Sequence, residues 1–209
     1  MKKYVVEMIG TFFLVLTVGM TAVYAPGAGA MAPVAIGVVL AVMIYSGGPV
    51  SGGHYNPAVT VGAWLRGACP ATDVGPYIGA QALGAVLAAL VAGYIAGAPA
   101  VPVSLGAVPA VLLAEFLFTF ALVYTVLCVA TRKSVDGNSY FGLSIGGTVV
   151  AGAYAVGGVT GGAFNPAVAL GLVVMGAVGV GSIWMYLVAC FLGGGAAALV
   201  YKAVADDEG

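Results

Sequence analysis

The chain has 209 residues, of which 62% are hydrophobic and only 6% charged, with a formal net charge of −1 and a mean hydropathy of +1.14. Water-soluble domains carry about 25% charged residues, so this composition excludes a soluble globular protein and gives a polytopic membrane protein. Six basic side chains are too few for a nucleic-acid-binding surface, and one histidine with three isolated cysteines (Cys69, Cys128, Cys190) offers neither metal-ligand spacing nor a disulfide framework.

In chain order, six apolar runs are long enough to span a bilayer, and two short ones are not. The first span covers about 4–24, and Glu7 interrupts what would otherwise resemble the apolar core of a secretory leader. A turn at Pro26-Gly-Ala-Gly29 precedes span two, about 32–48. A short run from Asn56 to Leu65 ends near Arg66-Gly-Ala-Cys-Pro70, and span three covers about 74–96. A Pro-rich link, 98–104, leads to span four at about 108–130. The polar loop 131–139 is the sharpest break, followed by span five at about 140–156. A second short run, Asn165 to about Met175, comes before span six at about 181–203 and an acidic tail at 204–209. Tyr4, Tyr24, Trp64, Tyr140, Trp184 and Tyr201 fall near span ends, where interfacial anchors are expected.

With six spans, Lys2, Lys3, Arg66, Arg132, Lys133 and Lys202 all lie on one side, and the opposite links hold no Lys or Arg. The positive-inside rule then puts both termini in the cytoplasm, in a multi-pass protein of the cell membrane. A wrong span count would scatter these residues over both sides.

The two short runs open on a repeated motif. Ser51-Gly-Gly-His-Tyr-Asn-Pro-Ala-Val-Thr60 and Thr160-Gly-Gly-Ala-Phe-Asn-Pro-Ala-Val-Ala169 share Gly-Gly-x-aromatic-Asn-Pro-Ala-Val, with Asn56 and Asn165 109 residues apart. Each motif is a helix start: Asn is a preferred N-cap, and Pro at the first helical position gives up an N–H that is unpaired anyway. About ten residues of helix reach ~15 Å, half of a ~30 Å hydrocarbon core. Val6-Glu-Met-Ile-Gly-Thr-Phe12 is echoed by Ala114-Glu-Phe-Leu-Phe-Thr-Phe120, so the repeat extends beyond the motifs. Repeat one is about 1–97 and repeat two about 108–203, together one membrane domain over 1–209. Three spans per repeat is an odd number, so the second repeat is inverted and the half-helices meet tip to tip at the midplane. Two helix N-termini carry about half a positive charge each, which repels cations there and leaves neutral solutes unopposed.

On these residues the chain resembles the aquaporin (major intrinsic protein) family, whose signature is two Asn-Pro-Ala boxes in an inverted repeat. The resemblance implies an all-α membrane fold of six transmembrane helices and two half-helices. It implies a passive channel for water, glycerol, small alcohols or dissolved gases, without a cofactor or a metal, assembled as a homotetramer in the lipid bilayer. The boxes are Asn56, Pro57, Ala58 and Asn165, Pro166, Ala167. Glu7 and Glu115 match glutamates that brace the box-carrying loops, a role weighed above proton transfer. For His54 two readings stay open, a lining group in the cytoplasmic half of the pore or a packed loop imidazole. The filter positions implied are Ile36, Ala153, Gly162 and Val168, with the register in span five loose enough for Tyr154 to swing inward instead. The family usually has Arg where this chain has Val168. With no aromatic, His or Arg, this filter is expected to be wider and more apolar than a water-selective one, and Ala169 and Leu170 also depart from the glycerol-conducting pattern.

Two alternatives accompany the channel reading: a closed or non-conducting scaffold with the same fold, and a channel leaky to ions or protons because one positive barrier is missing. A membrane enzyme has no support, since no nucleophile–base constellation is visible.

Overall fold

In a hydrocarbon environment each backbone N–H and C=O must be paired within its own segment, so long apolar runs become helices. The computed structural model describes residues 1–24 and 26–205; the acidic run at 206–208 lies outside the described residues. The described residues form eight α-helices: α1 Lys2–Val18, α2 Ala32–Ser51, α3 Pro57–Arg66, α4 Ala71–Ala96, α5 Val108–Ala130, α6 Phe141–Thr160, α7 Pro166–Val174 and α8 Ile183–Val204. There is no strand among the described residues. Among the described residues, six helices are long and apolar enough to cross a membrane, and α3 and α7 are the two half-length ones.

The expected spans differ from the helices mainly at their ends. α1 runs on through a π-helical turn, Gly19–Val23. α2 continues to Ser51 with Pro49 inside its last turn, and α6 continues to Thr160. α4 starts earlier, at Ala71, and so takes Asp73 into its first turn. Asp73 is buried, receives a hydrogen bond from the Tyr4 hydroxyl at 2.8 Å and pairs with Lys3. A third acid therefore joins Glu7 and Glu115 within the helices. Several aromatic groups read as lipid-interface anchors are instead internal ties. Tyr201 is buried beneath the Arg66 guanidinium, Tyr4 holds Asp73, and Tyr24 donates to the Met175 carbonyl. Trp64, Tyr140 and Trp184 are exposed.

The halves pack as an inverted pair. α1 lies on α4 and α5 on α8, while α2 and α6 cross at the pseudo-symmetry axis. That crossing depends on Gly37 and Gly146: a Cβ on Gly37 would stand 2.5 Å from the Gly146 carbonyl oxygen, so no larger residue lets the backbones approach this closely. Equivalent contacts recur in both repeats. Gly62 of α3 faces Val123 of α5, and Gly171 of α7 faces Val15 of α1. Each half-helix thus packs against the first helix of the other repeat. α3 is tied down at its far end by Arg66, which donates to the Thr131 hydroxyl at 2.9 Å and to the Thr131 carbonyl at 3.0 Å.

Candidate functional site

The box-carrying loops meet in the interior between α3 and α7. Gly52 and Gly53 (φ 87° and 65°) and Gly161 and Gly162 (φ 84° and 65°) turn the chain back into the protein through the left-handed region. The aromatic residue that follows in each loop is strained as well: Tyr55 has φ 50° and Phe164 has φ 47°. A non-glycine residue held there costs about 1–3 kcal/mol, and both side chains are buried to within 1% of full burial. Tyr55 packs on Gly10, and Phe164 packs on Phe118 at a centroid distance of 5.4 Å.

Asn56 and Asn165 each do two things. Asn56 Oδ1 caps α3 by accepting from Ala58 N at 2.8 Å, and Asn165 Oδ1 caps α7 by accepting from Ala167 N at 2.8 Å. The amide nitrogens cross over: Asn56 Nδ2 donates to the Phe164 carbonyl and Asn165 Nδ2 to the Tyr55 carbonyl, both at 2.9 Å. One N–H of each amide is therefore spent on binding the loops to each other. An amide has two such hydrogens, so one remains on each. Pro57, Ala58, Pro166 and Ala167 form the buried first turns of α3 and α7.

Behind the loops stand the two glutamates, both fully buried. Glu7 accepts from Ser51 Oγ (2.7 Å), His54 N (2.9 Å), Tyr55 N (2.7 Å) and Gln81 Nε2 (2.8 Å). Glu115 accepts from Ala163 N (3.1 Å) and Phe164 N (2.7 Å), with the Cys190 thiol 3.7 Å away. These bonds satisfy backbone donors that the strained turns would otherwise leave unpaired in a dry interior. Two tyrosines latch the helix ends that lead into the loops, Tyr77 donating to the Ser51 carbonyl and Tyr186 to the Thr160 carbonyl. Neither tyrosine, nor Gln81, was singled out from sequence. The signal was present, because Tyr77 and Tyr186 share the 109-residue spacing of the boxes.

A narrow lumen passes both Asn side chains. Its polar lining is Asn56, Asn165, His54 and the Gly53 and Gly162 backbone, and the rest is aliphatic, including Leu40, Val59, Leu122 and Val149. The space open to the centre of a water molecule is ≈ 30 Å³, about two or three waters at ~10–15 Å³ each. His54 lies in this wall with Nδ1 3.1 Å from Thr60 Oγ1. The two repeats differ here, since Ala163 occupies the place of His54.

On the side away from the chain termini the lumen opens into a vestibule, and Val18, Ile36 and Gly162 line both. Of the four positions expected to form the filter, Val168 lies on the lumen side of this junction, Ala153 on the vestibule side, and Ile36 and Gly162 on both. Ala153 Cα stands 3.4 Å from where a Cβ on Gly162 would be. Tyr154 does not swing inward: it is 53% exposed, and its hydroxyl donates to the Ala30 carbonyl outside the bundle. Val18 is a junction residue that the sequence did not single out. His, Cys, Asp and Glu side chains form no metal-holding group among the described residues.

The family model described as Major intrinsic protein matches residues 1–201. The chain is 34% identical to the probable aquaporin NIP4-2 of Arabidopsis thaliana, over 96% of this chain and 74% of that one. It is 32% identical to the glycerol uptake facilitator protein-like 6 of Lactiplantibacillus plantarum, over the full length of both. Among solved structures, the aquaglyceroporin from Plasmodium falciparum superposes with a TM-score of 0.79 over 97% of this chain and 96% of that chain, at 22% identity.

Proposed function

The chain belongs to the major intrinsic protein family, and from that premise we propose how this passive channel for water and small uncharged solutes selects what it passes. The observation that carries the reading is the junction at Ile36, Ala153, Gly162 and Val168, which brings no charged or hydrogen-bonding side chain to the lumen. A solute crossing it exchanges part of its hydration shell for aliphatic wall and a few backbone groups. A bare ion loses tens of kcal/mol of solvation in such a medium, whereas a neutral solute loses a few hydrogen bonds.

Beyond the junction, the tips of α3 and α7 meet, and each presents the positive end of a helix dipole. The remaining N–H of Asn56 and of Asn165 donates to one passing oxygen, so that a water between them turns its own hydrogens outward along the file. That geometry opposes proton relay and keeps cations out even though Val168 stands where a cationic side chain would add a second barrier. Lacking that side chain, the junction is where a solute larger than water, such as glycerol, gains admission in this reading. His54, held by Thr60, serves as the lining group of the other half of the lumen.

In this reading the face carrying the chain termini, with Lys2, Lys3, Arg66 and Lys202, is cytoplasmic, in keeping with the positive-inside rule. The protein assembles as a homotetramer through its lipid-facing helix surfaces, as the family resemblance implies.

Stopped-flow light scattering of proteoliposomes tests the proposal. Under an impermeant osmolyte the vesicles shrink faster than empty liposomes, and under glycerol they re-swell quickly. Val168→Arg slows the glycerol phase and largely spares the water phase. Shrinkage at the rate of empty liposomes with verified insertion would establish a closed pore or a scaffold. Rapid dissipation of a pH gradient in the same vesicles would establish a proton leak.

A further inference from the structure

The wall of the lumen repeats itself. Each lining residue from the first repeat has a counterpart 108 or 109 positions on that also lines the lumen, as in Val18 and Val126, Ile36 and Ile145, and Val59 and Val168. The junction therefore has a mirror image on the side of the chain termini, where Ile145, Ile44, Gly53 and Val59 take the places of Ile36, Ala153, Gly162 and Val168. The backbones match as well: Ile44 Cα stands 3.4 Å from where a Cβ on Gly53 would be, and Ala153 Cα stands 3.4 Å from the same point on Gly162. Leu40 and Val149 differ by one methylene, and the larger departures both fall on the terminus side: Ile44 for Ala153 and His54 for Ala163. The imidazole is also supported where its counterpart has nothing to support. Thr60 Oγ1, 3.1 Å from His54 Nδ1, accepts from Gln81 Nε2 at 3.0 Å, and the second repeat has Ala169 and Cys190 at these two places. The ring also packs on Tyr77 at a centroid distance of 5.1 Å. Its Nε2 reaches to 3.2 Å from where a Cβ on Gly52 would stand, and Gly52 lines a cavity of ≈ 520 Å³ against the loop that follows α5.

We propose that the passage is tightest at this second ring, not at the outer junction, and that His54 is its specificity-determining residue, setting by its bulk the largest neutral solute that crosses. The proposal rests on the channel reading above and adds a size limit beyond the outer junction. Mirrored walls give equal bores at mirrored depths, except where side chains differ. Both larger differences add volume at the same ring, an imidazole against a methyl group and a sec-butyl group against a methyl group. With Val168 the same size as Val59, the outer junction has nothing to offset them. A polyol that clears the outer junction then meets a ring held by Thr60 and packed on Tyr77, which cannot turn aside without giving up those contacts.

The test reads water, glycerol and erythritol permeability in proteoliposomes holding the wild-type protein, His54→Ala or Val168→Ala. His54→Ala brings residue 54 to the size of its counterpart and is expected to raise the erythritol-to-water ratio by about tenfold, the scale of a small change of size in an apolar pocket. Val168→Ala, which widens the outer junction, raises it less. The loop keeps its brace in His54→Ala, because Glu7 holds residue 54 through its backbone N–H. A ratio unmoved in His54→Ala with water flux intact, or moved at least as far by Val168→Ala, overturns the proposal and leaves the channel reading standing. Wild-type water flux equal to that of empty liposomes overturns the channel reading itself. Should His54→Ala lose water flux altogether, His54→Asn decides. It keeps a polar side chain of smaller size, and a raised ratio upholds the proposal while a wild-type ratio overturns it.

Discussion

Replacing Glu115 by Gln tests whether the second box loop is held by its carboxylate. Each oxygen of Glu115 accepts a backbone N–H, one from Ala163 and one from Phe164. A glutamine offers one acceptor oxygen and one NH₂. Whichever way the amide turns, a backbone N–H faces another donor and stays unpaired in a site with no solvent contact. An unsatisfied buried donor costs about 1–3 kcal/mol. For a chain of this length each kcal/mol lowers Tm by about 2–4 °C, so Glu115→Gln is expected to melt roughly 2–12 °C below wild type in mild detergent. Function suffers further, because Phe164 is held at φ 47° and a conformation of that kind persists only while its surroundings over-determine it. When it relaxes, the Phe164 carbonyl moves off Asn56 Nδ2 and the junction loses its shape. Stopped-flow water permeability is therefore expected to fall along with Tm. Glu115→Asp, one methylene shorter, cannot reach both N–H groups and should behave similarly. A Glu115→Gln protein with wild-type Tm and wild-type flux would refute the reasoning, since the carboxylate would then be a spectator in the loop.

Other perturbations follow from the same contacts. Asn165→Ala removes the cap of α7 and leaves the Tyr55 carbonyl unpaired, a combined loss of about 2–4 kcal/mol, read as a lowered melting temperature together with abolished water flux. Gly37→Val drives a side chain into the Gly146 carbonyl at the α2–α6 crossing. Because the obstacle is backbone, the cost is expected at the upper end of the ~1–3 kcal/mol of overpacking, and size-exclusion chromatography should show less folded protein recovered from detergent. Phe164→Ala strips a fully buried ring from Phe118 and should destabilise by about 3–5 kcal/mol, measured by the same thermal melt. Tyr186→Phe removes only the latch on the Thr160 carbonyl and should cost about 1 kcal/mol; a change in Tm beyond several degrees would contradict that assignment.

The number and order of the helices were legible in the sequence because burial in lipid leaves an apolar run of span length one option, the helix. The half-helices were equally legible, since Asn followed by Pro marks the first turn by local chemistry alone. Internal repetition at 108–109 residues made the inverted arrangement readable too, through the odd number of spans per repeat. Helix ends were less so: Asp73 entered α4 because Lys3 and Tyr4 neutralise and bond it from another helix, a partnership no local pattern reports.

The tertiary structure alone decided how the site is held. Which hydrogen of each Asn amide is spent depends on the opposite loop, more than a hundred residues away, reaching within 2.9 Å. The left-handed Tyr55 and Phe164 run against their own preference, and only the glutamates behind them and the packing around their rings keep them there. The direction of Tyr154 depends equally on where other elements stand. Sequence determined what each segment becomes, through interactions within a few residues. The lumen is made by contacts between segments, and their distances exist only after the two halves have packed against each other.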